Sequence, residues 1–205
     1  MKTLLTLVRH GRPDRADRLL GRTDPGLTPQ GWQQMQVSCD GLEVDGIISS
    51  PLSRCAEFAH HLSRQRRLPL TIEPGIQELD FGQWDGVDFE TLWQSTDGAF
   101  ELYWQTPWQQ TPPQGESTQA LHQRVEQTLL RCAREHPGRH LLLLTHAGVM
   151  RVVLAWLLEG SRNGNAHLSR VTLGHGARLS LSLYQDEQGQ IWPQLLELFN
   201  PEEGR

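Results

Sequence analysis

The sequence predicts an α/β fold with a mostly parallel central sheet, helices on both of its faces and a small cap-like excursion. Short apolar runs bounded by turn residues, which are typical of buried strands, alternate with longer amphipathic stretches that are typical of helices. One run, Leu141–Thr145, is unbroken and aliphatic, as expected of a central strand in a parallel sheet. A chain of 205 residues fits a single domain over residues 1–205, with the excursion at about 82–116.

The first half of the chain contains three short apolar runs that predict strands, at Leu4–Val8, Gly46–Ser49 and Leu70–Glu73. Serine or threonine followed by proline indicates a helix start, because the hydroxyl caps free amides and proline suits the first helical position. Thr28 and Pro29 therefore predict a helix to about Leu42. Ser50 and Pro51 predict a second helix, to about Arg67.

The second half contains a long predicted helix, an aliphatic strand, an apolar helix and a hairpin. Ser117 is the predicted cap of a helix that reaches Glu135, where Pro137 and Gly138 end it. The strand Leu141–Thr145 precedes a helix over Gly148–Leu158. Two late strands, near Arg178–Tyr184 and Ile191–Leu198, flank a turn. Residues 82–116 are rich in Trp, Gln, Pro and Thr with weak periodicity, which indicates an excursion that covers a site.

Composition excludes several classes of function. A net charge of -5 argues against a nucleic-acid binder or an anionic-membrane binder, since either needs a basic face. No apolar stretch reaches the roughly 18 residues of a membrane span, and the first apolar run is too short for a signal peptide. The 3 cysteines are far apart in the sequence, which favours a reduced protein. We therefore expect a cytoplasmic protein, for which a homo-oligomer remains open.

Two histidines follow predicted strands directly. His10 comes after the first strand and His146 after the aliphatic strand. Ligands of open α/β sheets bind outside the carboxyl ends of strands, so both histidines are expected at one pocket. Either alone is more often structural, but glycines close behind both, Gly11 and Gly148, favour close approach of a ligand to the backbone. Arg54 lies in the first turn of the predicted second helix, where free amides favour an anion.

Four blocks of residues resemble the histidine phosphatase superfamily, which also contains the cofactor-dependent phosphoglycerate mutases. They are Arg9-His10-Gly11, Ser50-Pro51-Leu52-Ser53-Arg54, Glu78-Leu79-Asp80-Phe81-Gly82-Gln83-Trp84-Asp85-Gly86 and Thr145-His146-Ala147-Gly148. The resemblance covers residues 1 to about 160 and implies a phosphoglycerate mutase-like fold. It also implies a phosphomonoester hydrolase that acts on a small molecule through a phosphohistidine.

The resemblance gives each site residue a role. His10 is the expected nucleophile, and Glu78 is the expected donor of a proton to the leaving oxygen. Arg9, Arg54 and His146 are expected to bind the phosphoryl oxygens. We expect no metal and no cofactor, since the sequence has no acidic cluster and His60 and His61 are merely adjacent. The remaining histidines are interpreted as structural or solvated: His122, His136, His140, His167 and His175.

The resemblance favours a phosphatase over a mutase. Mutase-like members carry an acidic residue and an asparagine at the positions of Arg12 and Ala16. They also place cations over the pocket, whereas no lysine or arginine occurs here between Arg67 and Arg124. We therefore expect the segment above the pocket to offer aromatic residues and no cation.

Within the superfamily the chain most resembles the alpha-ribazole phosphatases. The residues that carry this likeness are Arg9-His10-Gly11-Arg12-Pro13, Gly21-Arg22-Thr23-Asp24, Leu27-Thr28-Pro29 and Thr145-His146-Ala147-Gly148-Val149-Met150-Arg151. Gly11 departs from it, since close members often have threonine there. The likeness implies removal of the 5′-phosphate of alpha-ribazole phosphate or of cobalamin 5′-phosphate. Aromatic residues of the excursion could stack on benzimidazole or fill a small core: Trp84, Phe89, Trp93, Phe100, Tyr103, Trp104 and Trp108.

The alternatives stay open. The first is a broad-specificity phosphatase of sugar phosphates or nucleotides. A phosphoglycerate mutase and a non-catalytic phosphate-binding module are less favoured, because mere binding needs neither a nucleophile nor an acid.

Overall fold

The computed structural model describes residues 1–158 and 171–201. Within them, six strands form one sheet in the order β3-β2-β4-β1-β5-β6. Strands β1 to β4 are parallel, β5 is antiparallel to β1, and β6 is antiparallel to β5. The strands are β1 Lys2–Arg9, β2 Gly46–Ser49, β3 Leu70–Ile72, β4 His140–Thr145, β5 Arg178–Gln185 and β6 Ile191–Phe199. The predicted α/β fold with a mostly parallel sheet is confirmed, and the aliphatic strand β4 is central.

Six α-helices occur in the described residues, and the side chain of the N-cap residue caps three of the six. The six helices are α1 Pro29–Cys39, α2 Ser53–Arg66, α3 Phe89–Ser95, α4 Ala99–Gln105, α5 Thr118–Glu135 and α6 Ala147–Leu157. Thr28 accepts a hydrogen bond from the amide of Gly31 at 2.9 Å, and Ser117 accepts one from Ala120 at 3.1 Å. Both predicted caps are therefore confirmed, although α1 ends at Cys39 rather than near Leu42.

The predicted start of the second helix at Ser50 is wrong. Helix α2 begins at Ser53, and its N-cap residue, Leu52, has no capping side chain. Asp24, from a distant loop, accepts a 2.8 Å hydrogen bond from the Ser53 amide and takes the place of a local cap. Ser50 instead bonds to the Leu52 amide and to His146. A tertiary contact thus replaces the local start signal.

Two buried clusters lie on opposite faces of the sheet. Neighbouring leucines of β4 point in opposite directions, so Leu143 belongs to one cluster and Leu144 to the other. Helix α5 contributes Leu129 to the first cluster, whereas α1 and α2 contribute Met35 and Phe58 to the second. Full burial of a side chain of this size contributes about 1.5–3 kcal/mol. Helices therefore cover both faces, as predicted.

The excursion over residues 82–116 contains α3 and α4, which its weak periodicity does not predict. Gly98, with a φ of 81°, reverses the chain between these two short helices. Trp84 packs edge-on against Phe100 and Tyr103, with ring centroids 5.5 and 5.8 Å apart. These rings belong to the same buried cluster as Leu143, so this segment, which we call the cap, packs onto the main core. In the part of the chain that the structure describes, no helix is long and apolar enough to cross a membrane.

Candidate active site

The structure brings His10 and His146 together at the carboxyl ends of β1 and β4. These strands pair in parallel, with Arg9 opposite Thr145, so the residue that follows each strand arrives at the same edge. The two imidazole rings are 5.2 Å apart between centroids. Both rings are buried, with His10 exposed by only 5%.

His10 is held as a neutral imidazole, and one of its ring nitrogens has no hydrogen-bond partner among residues 1–158 and 171–201. Its Nδ1 donates a 2.8 Å hydrogen bond to the carbonyl of Gly11, so Nε2 keeps its lone pair. Burial, followed by the charges of Arg9 and Arg54, lowers the pKa of His10 well below its usual value. A neutral imidazole with a free Nε2 is the form that a nucleophile needs.

His146 is arranged as a hydrogen-bond donor. Its Nε2 lies 2.7 Å from the Ser50 hydroxyl, which also accepts a bond from Leu52. Among the described residues that hydroxyl has no other acceptor, so Nε2 accepts and Nδ1 carries the proton. Burial, followed by the charge of Arg54, lowers the pKa of His146 well below its usual value. Nδ1 is buried without a partner within the described residues, which leaves its N–H ready for an added ligand.

The two predicted phosphate-binding arginines are tied into loops of the site. Arg54 is fully buried rather than solvated. Its Nη atoms donate to the carbonyls of Leu20, Gly21 and Thr23, while Nε is buried without a partner within the described ranges. Arg9 donates through Nη1 to the carbonyl of Leu173 and through Nη2 to His175.

Glu78 is fixed at the amino end of α6. Its two carboxylate oxygens accept hydrogen bonds from the amides of Leu79 at 3.0 Å and Gly148 at 3.1 Å. Arg124 on α5 holds the backbone of this segment by donating to the carbonyls of Gln77 and Glu78 at 2.8 and 3.1 Å. Sequence reasoning missed Arg124, since an amphipathic helix of this composition gives no signal that one arginine reaches the site.

The two glycines that follow the histidines are needed for contacts within the protein. A Cβ on Gly11 would lie 1.8 Å from the carbonyl oxygen of Gly31, so Gly11 allows α1 to approach the end of β1. A Cβ on Gly148 would lie 2.2 Å from the carboxylate of Glu78. Both glycines therefore make room for the protein's own atoms, and Gly148 also lines the cavity described next.

A cavity of about 340 Å³ opens beside His10. Arg9, His10 and Glu78 line it, and the fully buried Arg54 and His146 are not among its lining residues, although the His146 ring lies 5.2 Å from that of His10. His175 also lines the cavity, 5.8 Å from His10 between ring centroids, and contacts Arg9. His167 lies outside the described residues.

The cap contributes fewer aromatic rings to the cavity than its composition offers. Phe89, Tyr103 and Trp104 line it, together with Phe81. The remaining candidates do not: Trp84, Phe100 and Trp108 are buried in the core, and Trp93 is 53% exposed elsewhere.

The cap segment contains no lysine or arginine, but other parts of the chain supply cations to the cavity. Arg18 and Arg151 line the cavity, and the guanidinium carbon of Arg151 lies 5.9 Å from the Trp104 ring centroid. These cations come from the loop after β1 and from α6, not from the cap segment. The composition of the cap segment therefore does not indicate these two cations.

Two further features bear on the chemistry of the site. Within residues 1–158 and 171–201, no group of three or more histidine, cysteine or acidic side chains is arranged to hold a metal ion. The three cysteines are free and buried, at Cys39, Cys55 and Cys132.

The family model described as the histidine phosphatase superfamily (branch 1) matches residues 5–191. The adenosylcobalamin/alpha-ribazole phosphatase of Escherichia coli is 31% identical over 160 residues, which cover 75% of this chain and 78% of that protein. A bifunctional protein of Mycobacterium tuberculosis is 28% identical over 195 residues, which cover 92% of this chain and 52% of that protein. The chain thus spans about half the length of the mycobacterial relatives it matches.

The fold has a solved counterpart in the mycobacterial glucosyl-3-phosphoglycerate phosphatase. The two superpose with a TM-score of 0.82 at 23% sequence identity, over 96% of this chain and 98% of that one. At this identity the likeness concerns the fold.

Proposed function

The chain belongs to the histidine phosphatase superfamily, and on that premise we propose that it is a metal-independent phosphomonoester hydrolase with His10 as nucleophile. The observation that carries the proposal is the state of His10. Its Nδ1–H is committed to Gly11, its pKa is lowered by burial and by two arginines, and it lines a cavity shared with Glu78. A buried neutral imidazole beside a carboxyl group suits covalent phosphoryl transfer.

The reaction proceeds in two displacements. In the first, the Nε2 lone pair of His10 attacks phosphorus, the bond from phosphorus to the ester oxygen breaks, and protonated Glu78 gives its proton to the leaving oxygen. In the second, the Glu78 carboxylate takes a proton from water, and the water oxygen attacks phosphorus. The phosphorus–nitrogen bond then breaks, which releases phosphate and restores neutral His10 with protonated Glu78.

The phosphoryl oxygens are bound by Arg9, Arg54 and His146. Two buried atoms without a partner within the described ranges, Arg54 Nε and His146 Nδ1, support this assignment. A buried donor without an acceptor costs about 1–3 kcal/mol, so an oxyanion that accepts from both relieves this cost. The same two positive charges that lower the pKa of His10 also neutralise the transferred group.

Trapping of the intermediate tests the mechanism. The wild-type protein, quenched rapidly with labelled substrate, is expected to carry an acid-labile phosphoramidate, and the folded His10→Ala variant is expected to carry none. His122→Ala, altered outside the cavity, is the matched control. Labelling that survives in His10→Ala would refute the assignment. Binding of phosphate without turnover would favour the alternative of a non-catalytic phosphate-binding module. Inactivation by EDTA, with rescue by a divalent metal, would refute metal independence.

For the substrate we propose alpha-ribazole phosphate or cobalamin 5′-phosphate. The supporting observations are the sequence likeness to the Escherichia coli adenosylcobalamin/alpha-ribazole phosphatase and the aromatic lining of Phe89, Tyr103 and Trp104. Stacking of a flat base on an aromatic ring contributes about 1–3 kcal/mol in nucleic-acid complexes. A neutral benzimidazole is of a size and shape that such a lining accommodates.

A second candidate substrate is a phosphomonoester whose alcohol carries a carboxylate, and the cations in the cavity favour it. Arg151 lies one helical turn after Gly148, whose amide holds Glu78, and packs against Trp104 of the cap. Because Glu78 protonates the leaving oxygen, Arg151 stands on the side of the leaving group. A carboxylate there would accept charge-assisted hydrogen bonds worth about 1.5–3 kcal/mol.

A matched set of substrates separates the two candidates. The first candidate is supported if kcat/KM is highest for alpha-ribazole phosphate and if Trp104→Leu, but not Arg151→Met, reduces this preference. Preference for 3-phosphoglycerate over glycerol 3-phosphate, lost in Arg151→Met, supports the second. Trp93→Leu is the control for loss of a tryptophan outside the cavity. Comparable efficiency on all three substrates identifies a broad-specificity phosphatase.

A further inference from the structure

The loop that precedes β5, over residues 172–177, closes one side of the site beside His10. Because β5 runs antiparallel to β1, its beginning meets the end of β1. The amide of Arg9 donates a 2.9 Å hydrogen bond to the carbonyl of Ala177, and the amide of Gly176 donates one of 3.4 Å to the carbonyl of His10. His175, in the middle of this loop, is thereby held against the nucleophile.

One nitrogen of His175 is committed to Arg9. The Nη2 of Arg9 lies 3.2 Å from Nε2 of His175, and a guanidinium can only donate. Nε2 therefore accepts, and a neutral imidazole in this arrangement carries its proton on Nδ1. Burial, followed by the charges of Arg9 and Arg12, lowers the pKa of His175 to about 3, so the ring is neutral at any ordinary working pH.

The other nitrogen is available to a ligand. Nδ1 has no hydrogen-bond partner among the described residues, and it is not fully buried. The ring lines the same cavity as His10 and Glu78. His175 thus matches His146 in form: each ring lies near His10, at 5.8 and 5.2 Å, accepts through Nε2 and presents Nδ1–H.

We propose that His175 donates its Nδ1–H to an oxygen of the phosphoryl group transferred to His10, with Arg9 fixing the tautomer. This inference rests on the proposed phosphoryl transfer and adds a substrate-binding residue to it. His175 and His146 then both donate to the group held at His10. The physical reason for a neutral donor is that it strengthens binding of the oxyanion without adding a charge that would have to be desolvated.

Two substitutions separate this role from mere support of Arg9. The amide of asparagine lies where Nδ1 of histidine lies, so His175→Asn keeps a donor toward the cavity and loses the acceptor for Arg9. The amide of glutamine reaches the position of Nε2, so His175→Gln keeps an acceptor for Arg9 and loses the donor. The proposal predicts that the asparagine variant resembles the wild type and that the glutamine variant does not.

The readouts are the dissociation constants of orthovanadate and of inorganic phosphate, measured by calorimetry, with thermal unfolding to show that each variant is folded. His175→Gln is expected to raise both dissociation constants by about 10- to 100-fold, because one hydrogen bond to a charged group is lost. His175→Asn is expected to stay within a few-fold of the wild type. His122→Gln, outside the cavity, is the control.

The opposite order, with glutamine tolerated and asparagine not, would show that His175 only holds Arg9 and would overturn the proposal. Equal loss in both variants, or no loss in either, also overturns it. Absence of labelled His10 in the wild type would count against the proposed function itself. Labelled wild type with unchanged vanadate binding in His175→Gln would count against this inference alone.

Discussion

The backbone amide of Gly148 donates a 3.1 Å hydrogen bond to the carboxylate of Glu78, across a contact too close for any Cβ at position 148. Gly148 is in the first turn of α6, where amide groups have no partner within the helix. The helix that follows His146 therefore also positions the proposed proton donor. One strand-to-helix junction, from Thr145 to Gly148, places two groups of the site.

Gly148→Ala is expected to displace Glu78 and to slow turnover while the fold remains. The added Cβ would lie 2.2 Å from Oε1 of Glu78, so the carboxylate has to move. General acid–base help is worth about 10²–10⁴-fold, and we expect a loss of kcat approaching that range. Steady-state kinetics measure it. Gly26→Ala is the control, because a Cβ there meets nothing within 4 Å; an equal loss in both variants would exclude this explanation.

Glu78→Gln is expected to affect substrates according to their leaving groups. Glutamine keeps the size of the side chain but cannot deliver a proton, and alkyl alcohols need that proton more than p-nitrophenol does. The loss in kcat should approach about 10²–10⁴-fold for an alkyl ester and be much smaller for p-nitrophenyl phosphate. Parallel kinetics on both esters test this. Equal losses would indicate that Glu78 only shapes the cavity.

Arg124→Met is expected to act on the same step from a distance. Arg124 donates to the carbonyls of Gln77 and Glu78 and pairs with Glu116 at 2.7 Å, so it positions the proton donor without touching substrate. We expect roughly a 10-fold loss in kcat, larger for alkyl esters than for p-nitrophenyl phosphate. Arg131→Met is the control on the same helix, because Arg131 pairs with Glu73 away from the cavity. A loss that does not depend on the leaving group would point to general destabilisation.

The pKa of His10 should rise when a neighbouring positive charge is removed. Burial comes first among the causes that lower this pKa, and Arg9 comes second. Because a cation disfavours the protonated ring, Arg9→Gln is expected to raise the pKa toward, but not to, its ordinary value. Titration of the imidazole signals by NMR measures the change in the absence of substrate. A pKa that is unchanged in Arg9→Gln would show that the charge of Arg9 does not contribute to the lowering.

The free energy of unfolding should decrease as the pH falls below about 6.5. The pKa values of His10, His146 and His175 are all lowered, chiefly by burial, so the folded protein keeps these rings neutral. The unfolded chain takes up protons through its ordinary pKa near 6.5, which favours unfolding by about 1.4 kcal/mol per histidine per pH unit below it. Urea unfolding at about pH 7 and about pH 5 measures the slope. His175→Asn should reduce this slope by the contribution of one histidine. His60→Asn is the control, because His60 lies on the exposed side of α2.

Much of the fold could be predicted because its signals act over a few residues. Thr28 and Ser117 cap helices through amides three residues away, and the aliphatic run of β4 indicates a central strand. The approach of His10 to His146 could also be predicted, since parallel strands end at one edge of a sheet. Where a distant group intervenes, local signals fail, as when Asp24 takes over the amino end of α2.

The sequence by itself thus determined the α/β architecture, the strand-end histidines and the blocks that identify the superfamily. Only the tertiary structure decided which other groups join them. His175 reaches His10 because β5 lies antiparallel beside β1, and Arg151 of α6 lines the cavity next to Trp104 of the cap. These long-range contacts depend on the order of strands and the packing of helices, which local periodicity does not encode. The physical reason is that capping and amphipathic patterns are short-range, whereas the neighbours of a buried charge or ring are chosen by the whole fold.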